Sequence, residues 1–95
     1  MNDEFESIRN HHEAAVIARI RDRQTTFAHL AERGFLPDVA CVALNRLPAR
    51  YIRHAVDFSF YLSDKERADT ERLIADAVEF AFEFVQARVA MRARA

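Results

Sequence analysis

The residues best suited to chemistry lie in one short stretch of the chain. Three arginines, one histidine and one aspartate occur there within twelve residues, in the order Arg46-x-x-x-Arg50-Tyr51-x-Arg53-His54-x-x-Asp57. Guanidinium groups form paired hydrogen bonds with phosphates and stack on rings. A carboxylate such as that of Asp57 can accept hydrogen bonds from the N1–H and amine of guanine. We expect this set to bind a cyclic dinucleotide or another small anion. The alternative is a solvated linker whose arginines pair with acidic residues of the last helix.

The sequence does not contain the residue patterns that catalytic sites and metal sites need. His11, His12 and Glu13 are adjacent, and adjacent side chains on a helix point about 100° apart, so they cannot hold one metal ion together. The sequence has no Gly-x-Ser-x-Gly motif, no glycine-rich phosphate loop and no His-Glu-x-x-His pair. We therefore expect no enzyme activity, catalytic residue, metal or cofactor, and one histidine turned inward from a polar helix face.

Composition indicates one small helical domain, which we expect to span residues 3–92. Of the 95 residues, 51% are hydrophobic and 31% are charged, and there are only one glycine and two prolines. The formal net charge of −1 argues against general nucleic-acid binding. No apolar run approaches the roughly 18 residues of a membrane span, and the acidic N-terminus does not resemble a signal peptide. We expect a cytoplasmic protein that binds no membrane.

Apolar residues at steps of three and four predict helices along most of the chain. The first helix is expected from Asp3 to Arg23, with acidic residues in its first turn. Thr25 or Thr26 is expected to cap a second, short helix, and Gly34 follows its predicted end. The buried stripe of the first helix is predicted to consist of Phe5, Ile8, His12, Ala15, Val16, Arg19 and Ile20.

A third helix is expected from Pro37 to Arg46, because proline favours the first helical turn. Its residues are apolar nearly all round, which is typical of a helix at the centre of a core. Cys41, the single cysteine, is therefore expected to be a buried, unreactive thiol. Asn45 is the polar exception, and we expect it to be buried and to fix the turn that Pro48 makes. Beyond Pro48 we expect a short helix or turn, followed by a loop or irregular helix.

A capping-box pattern that begins at Ser63 opens the last helix, expected from Asp64 to Arg92. Its apolar face is broader than one small partner helix needs, so either the helix packs between two others or it also lines a dimer interface, and we expect a homodimer. Phe80 and Phe82 widen this face, and together with Phe84 they could dock a partner helix. The main stripe is predicted to consist of Leu73, Ile74, Ala77, Val78, Ala81, Phe84, Val85 and Arg88.

The run from Asp38 to Tyr51 carries a family resemblance. It reads Asp-Val-Ala-Cys-Val-Ala-Leu-Asn-Arg-Leu-Pro-Ala-Arg-Tyr, and it resembles the Asp-Val-x-Ala-Leu-Ala-Leu-Asn-x-Leu-Pro-Pro-x-Tyr signature of the late-competence ComFB family. Asn10 and Glu13, an Asn-x-x-Glu pair, and the long C-terminal helix are also similar to that family. We expect these two side chains to hydrogen-bond backbone groups from elsewhere rather than to contact a ligand.

The resemblance implies an all-α fold, a small bundle of about four to five helices that forms a homodimer. Some members of the family are receptors for cyclic di-GMP and cyclic di-AMP, and others have no settled molecular role. Many members carry a cysteine cluster, suited to zinc, before the Asp-Val pattern. Residues 31–37 contain no cysteine here, so the resemblance implies no zinc site in this chain.

Two functions follow as hypotheses. The first is a non-enzymatic bacterial signalling receptor for a cyclic dinucleotide, with cyclic di-GMP favoured and cyclic di-AMP as the other candidate. The second is an adaptor that binds a protein partner and no small molecule. Within residues 45–57, the family-like residues are expected to be architectural and the polar ones to bind. The predicted ligand-binding set is Arg46, Arg50, Tyr51, Arg53, His54 and Asp57.

Overall fold

The computed structural model describes residues 3–54 and 63–94 and confirms the all-α fold with a long C-terminal helix. The α-helices of the described part are α1 (Glu13–Arg23), α2 (Ala28–Glu32), α3 (Leu36–Arg46) and α4 (Asp64–Arg94), and a 3-10 helix (Asp3–Ser7) precedes them. Two short strands, β1 (Arg9–Asn10) and β2 (Tyr51–Ile52), pair antiparallel with Asn10 opposite Tyr51. None of the described helices is both long and apolar enough to cross a membrane.

The core lies where α1 and α3 pack on the middle of α4, and α3 makes the larger contact with α4. Phe82 of α4 is fully buried, and its ring stacks on that of Phe27 at a centroid distance of 4.4 Å. Offset aromatic pairs at this distance add to the free energy gained from burying the rings. The other buried apolar residues are Val16, Ile20, Leu30, Val39, Ala43, Leu47, Ile74, Ala77, Val78, Ala81 and Val85.

The predicted first helix, from Asp3 to Arg23, is interrupted before α1 begins, so this prediction was wrong in its first half. The side-chain oxygen of Asn10 accepts a hydrogen bond from the N–H of His12 at 3.1 Å. Such a local side-chain bond offers the backbone an alternative to the helical pattern, and here it lies in the turn between β1 and α1. Phe5 and Ile8 of the predicted buried stripe lie in this interrupted part and are exposed, and Ala15 on α1 is exposed as well.

Gly34 ends α2 as predicted. Its φ of +79° is the left-handed conformation that glycine adopts most readily. The N–H groups of Gly34 and Phe35 donate to the carbonyls of Ala31 and Leu30, at 3.2 and 2.9 Å, which completes a Schellman C-terminal motif. The chain is thereby redirected into α3.

Of the two helix N-terminal caps predicted from the sequence, one is confirmed and one was wrong. Ser63 caps α4 as predicted, because its hydroxyl oxygen accepts the N–H of Glu66 at 3.1 Å. Neither Thr25 nor Thr26 caps α2, since the cap position is taken by Phe27, which makes no side-chain capping bond.

Several burial predictions for α3 and α4 were wrong. Asn45 and Cys41 are both exposed, so the predicted buried roles of this asparagine and this thiol do not hold. Phe82, predicted as part of a docking face, is instead a core residue. Three residues of the predicted buried stripe of α4 lie at the surface, Leu73, Phe84 and Arg88.

A paired contact ties α1 to α4. The Nε and Nη2 groups of Arg23 donate to the two carboxylate oxygens of Glu79 at 3.0 and 2.8 Å. These hydrogen bonds lower the pKa of the Glu79 carboxyl below its ordinary range. Because both side chains are partly exposed to solvent, we assign this pair a role in orienting the helices rather than a large share of the stability.

Truncation of Phe82 and truncation of Phe84 should affect stability differently, because only Phe82 lies in the core. Phe82→Ala is expected to lower the free energy of unfolding by about 3–5 kcal/mol, because it leaves a cavity in the core. Phe84→Ala is the matched control, since Phe84 is 42% exposed where Phe82 is 0% exposed. Urea unfolding followed by circular dichroism measures both, and equal losses would contradict the assignment of Phe82 to the core.

Candidate functional site

The predicted site begins at the corner where α3 ends. Leu47, the residue after α3, has an extended backbone with ψ of 145°, which is the geometry that a following proline imposes. The Leu47 side chain is buried. Pro48 and Ala49 then carry the chain across to β2, and β2 pairs with β1. The corner is therefore held by a buried apolar residue on one side and by a strand pair on the other.

Asn10 fixes this corner, in agreement with the predicted structural role. Its side-chain oxygen accepts the N–H of Arg50 at 3.4 Å as well as the N–H of His12. The carbonyl of Arg50 in turn accepts the N–H of His11. One amide side chain thus joins two segments that are forty residues apart in the sequence. Glu13, its predicted companion, is exposed at the start of α1.

His12 is the histidine that turns inward, as predicted, and it is 7% exposed. Its Nδ1 atom is buried and has no hydrogen-bond partner within the described part of the chain. Burial, followed by the positive charges of His11 and Arg50, lowers the pKa of His12 below its ordinary value of 6.5. A hydrogen bond to the backbone of Pro48 opposes this shift only in part. The folded protein therefore favours the neutral imidazole.

Two of the predicted arginines lie along one side of α4. The guanidinium carbon of Arg46 is 3.8 Å from the ring centroid of Phe80. Arg50 borders a pocket of about 90 Å³ together with Thr70 and Leu73 of α4. Leu73 and Phe80 are two helical turns apart, so the two arginines meet α4 at points separated by roughly 10 Å along its axis.

Arg88 extends this arrangement, although it was not among the predicted binding residues. Its guanidinium carbon is 5.7 Å from the ring centroid of Phe84, and the rings of Phe80 and Phe84 are 5.8 Å apart. We call Arg50, Arg46 and Arg88 the arginine row. The signal in the sequence was the placement of Arg88 one turn after Phe84. The contact of Arg46 with Phe80 joins different helices and has no local signature.

The remaining predicted residues do not join the row. Arg53 borders a separate groove of about 290 Å³ formed with the N-terminal segment, which contributes Phe5 and Ile8. Tyr51 and His54 are exposed on or just after β2. Tyr51, predicted to be architectural and also to bind, has 69% of its surface exposed, so its side chain does not build the corner. Asp57 lies outside the described residues.

The described residues contain no group of three or more histidine, cysteine, aspartate or glutamate side chains that could hold a metal ion. The arrangement is instead cationic and aromatic. Guanidinium groups seated on exposed rings can donate hydrogen bonds outward to phosphate oxygens while the rings limit their movement.

Removal of the Asn10 side chain should loosen the corner. Asn10→Ala removes the acceptor of two backbone N–H groups, one part-buried and one exposed, so we expect a loss of about 0.5–1.5 kcal/mol in the free energy of unfolding. Asn10→Asp is the matched control because it keeps the acceptor oxygen. Amide hydrogen exchange at Arg50 should accelerate in the alanine variant, and unchanged exchange there would contradict the role given to Asn10.

His12 should make stability depend on pH. Its folded-state pKa is lowered, so below about pH 6.5 the unfolded chain binds the proton more readily than the folded chain does. The free energy of unfolding is therefore expected to fall as the pH decreases through this range. Urea unfolding at about pH 7.5, 6.5 and 5.5 measures the slope. It should be shallower in His12→Gln than in wild type and in the exposed-site control His54→Gln. An equal slope in all three would contradict the prediction.

Comparison with known proteins bears on the family but not on the ligand. A search of the curated proteins and a search of the solved structures gave no match. The family model described as late competence development protein ComFB matches residues 9–89, which include the corner, the arginine row and all the buried residues of the core. The chain therefore belongs to the ComFB family.

Proposed function

We propose that this chain is a non-enzymatic, cytoplasmic signalling module that binds a cyclic dinucleotide as a homodimer. The observation that carries the proposal is the arginine row, in which Arg46 and Arg88 contact the exposed rings of Phe80 and Phe84 and Arg50 follows on the same side of α4. A cyclic dinucleotide offers two phosphates and two flat bases, and the row offers cationic groups beside aromatic surface.

The dimensions of the row suit a ligand larger than a single phosphate. Leu73, beside Arg50, and Phe84, beside Arg88, are eleven residues apart on α4, a distance of roughly 16 Å. A guanidinium that covers a ring has its outer face and N–H edges available for a second ring and for phosphate oxygens. Two phosphates of one ligand could thus be met by different arginines.

The pinned corner supports the proposal on energetic grounds. Asn10 holds the backbone of Arg50 in place, and Leu47 anchors the end of α3. A binding residue whose backbone is already ordered loses less conformational entropy when the ligand binds. This would make the corner a better place for a binding arginine than a loop without such bonds.

A preference for guanine over adenine would depend on the predicted binding residues outside the arginine row. Asp57 would accept the N1–H and amine of guanine, which adenine cannot offer in the same way, so we favour cyclic di-GMP over cyclic di-AMP. Tyr51 and His54 would border the ligand from β2, and Arg53 would act from the neighbouring groove. A dimer would present the whole set twice, in keeping with a two-fold symmetric ligand.

Calorimetric titration with cyclic di-GMP and cyclic di-AMP tests the proposal. Arg46→Lys and Arg50→Lys keep the charge but lose paired hydrogen bonding, so each is expected to weaken binding about tenfold or more, the effect of losing roughly 1.4 kcal/mol. Arg21→Lys, at an exposed position on α1, is the matched control and should bind as wild type does.

Two results would contradict the proposal. The absence of heat with either nucleotide, at protein concentrations in the tens of micromolar, would exclude a cyclic dinucleotide as the ligand. Binding that is unchanged in the two row variants would indicate general electrostatic attraction rather than paired hydrogen bonding at the row, because lysine keeps the charge.

An adaptor that docks a protein partner on α4 is the second candidate, favoured by the exposure of Phe80 and Phe84. Phe82→Glu cannot test it, since Phe82 belongs to the core. Phe84→Glu changes the surface instead. The adaptor requires that partner capture be lost in this variant while the protein stays folded and wild type shows no heat with either nucleotide.

A further inference from the structure

One side of α4 carries a line of large apolar side chains that the rest of the described chain leaves exposed. We call it the outer stripe, and it consists of Leu73, Phe80, Phe84 and Met91. Residues at these spacings lie within a narrow sector of a helix. Exposed apolar patches with neighbouring arginines, aromatics and methionine have the composition of protein interface centres. The stripe therefore has the composition of a surface that another protein chain covers.

We propose that a second copy of this chain covers the outer stripe, with the two α4 helices antiparallel about a two-fold axis beside residue 82. The inference rests on the homodimer of the proposed function and is independent of its nucleotide. It specifies which surface the two copies share and in which register they meet.

The spacing of the outer stripe is symmetric, which is what a two-fold interface requires. Leu73 and Met91 are each nine residues from position 82, and Phe80 and Phe84 are each two residues from it. In an antiparallel pair centred there, Leu73 faces Met91 of the partner subunit, and Phe80 faces Phe84 of the partner subunit. Every residue of the stripe then has an apolar residue opposite it, as an isologous interface needs.

The charges on α4 favour the antiparallel direction over the parallel one. Residues 64–79 contain six acidic and three basic residues, a net charge of −3, and residues 80–94 contain one acidic and three basic residues, a net charge of +2. An antiparallel pair sets the acidic half of each helix beside the basic half of the other. A parallel pair would set like charges side by side, and its helix dipoles would also point the same way.

The same register brings the two arginine rows together. Arg46 contacts Phe80 and Arg88 contacts Phe84. Arg50 borders a pocket with Leu73, so each arginine lies beside a residue of the outer stripe. In an antiparallel pair the same flank of each helix lies on the same side of the interface. The rows of the two copies would therefore border one groove, which gives the ligand proposed above a two-fold symmetric site.

Another apolar surface could compete for the second copy. The groove between α1 and α3, of about 390 Å³, is bordered by Ile17, Ile20, Leu36 and Pro37. Arg21 borders the same groove, so two copies that met there about a two-fold axis would bring like charges close together. We therefore favour the outer stripe and use the groove as the comparison surface in the test.

Sedimentation of the wild-type protein without nucleotide, over a range of concentrations, tests the surface. Wild type should dimerise. Phe84→Glu and Met91→Glu should each raise the dissociation constant about 30-fold or more, because each places a charge in the apolar interface in both halves of the dimer. Ile17→Glu, in the α1–α3 groove, should leave it unchanged. Circular dichroism checks that each variant folds, and Met91, which is 69% exposed, is the substitution least able to disturb the core.

A charge exchange tests the register. Leu73→Lys and Met91→Glu should each weaken the dimer, and the double variant should recover at least tenfold of that loss because the new lysine of one copy faces the new glutamate of the other. A parallel pair, or another register, predicts no recovery. Monomeric wild type, a dimer lost in Ile17→Glu but kept in Phe84→Glu, or a double variant without recovery would each overturn the proposal. None of these outcomes depends on nucleotide binding, so a failure here is distinct from a failure of the proposed ligand.

Discussion

The stacking of Phe82 on Phe27 is the contact on which the arrangement of α4 depends. A helix has side chains all round its axis, and a chain of this size has too few other residues to cover every side of a long one. Once Phe82 is buried, residues two positions away point roughly 200° from it around the helix. Phe80 and Phe84 must then lie near the surface, so the burial of one phenylalanine decides the exposure of two others.

The corner at Pro48 shows a second constraint, which acts through the backbone. A helix from Asp3 to Arg23 satisfies local propensity, but it would leave β2 without a partner strand. Asn10 resolves this competition because its side-chain oxygen accepts the N–H groups of His12 and Arg50 at once. The chain therefore forms no helical turns near residues 8–12, and the backbone of the corner is fixed instead.

The candidate site and the exposed apolar surface are parts of one feature. Arg46 and Arg88 lie against Phe80 and Phe84, so their alkyl stems and guanidinium groups partly shield rings that would otherwise face water. An arginine held in this way has fewer conformations to lose on binding. The same contacts explain why binding chemistry and an interface can occupy the same side of α4.

The sequence by itself determined the helical class, the stop at Gly34 and the cap at Ser63. All three depend on residues that are close in the sequence, whereas Asn10 acts partly through a hydrogen bond with Arg50, forty residues away. Tertiary structure alone decided that Asn45 and Cys41 are exposed, that Phe82 is core, and that Arg46 meets Phe80. Periodicity shows that a helix has an apolar side, but only the positions of α1 and α3 decide which part of a broad apolar side they cover. Of the predicted site, Arg46 and Arg50 were found by their chemistry, whereas Arg88 joined them only when packing turned Phe84 outward.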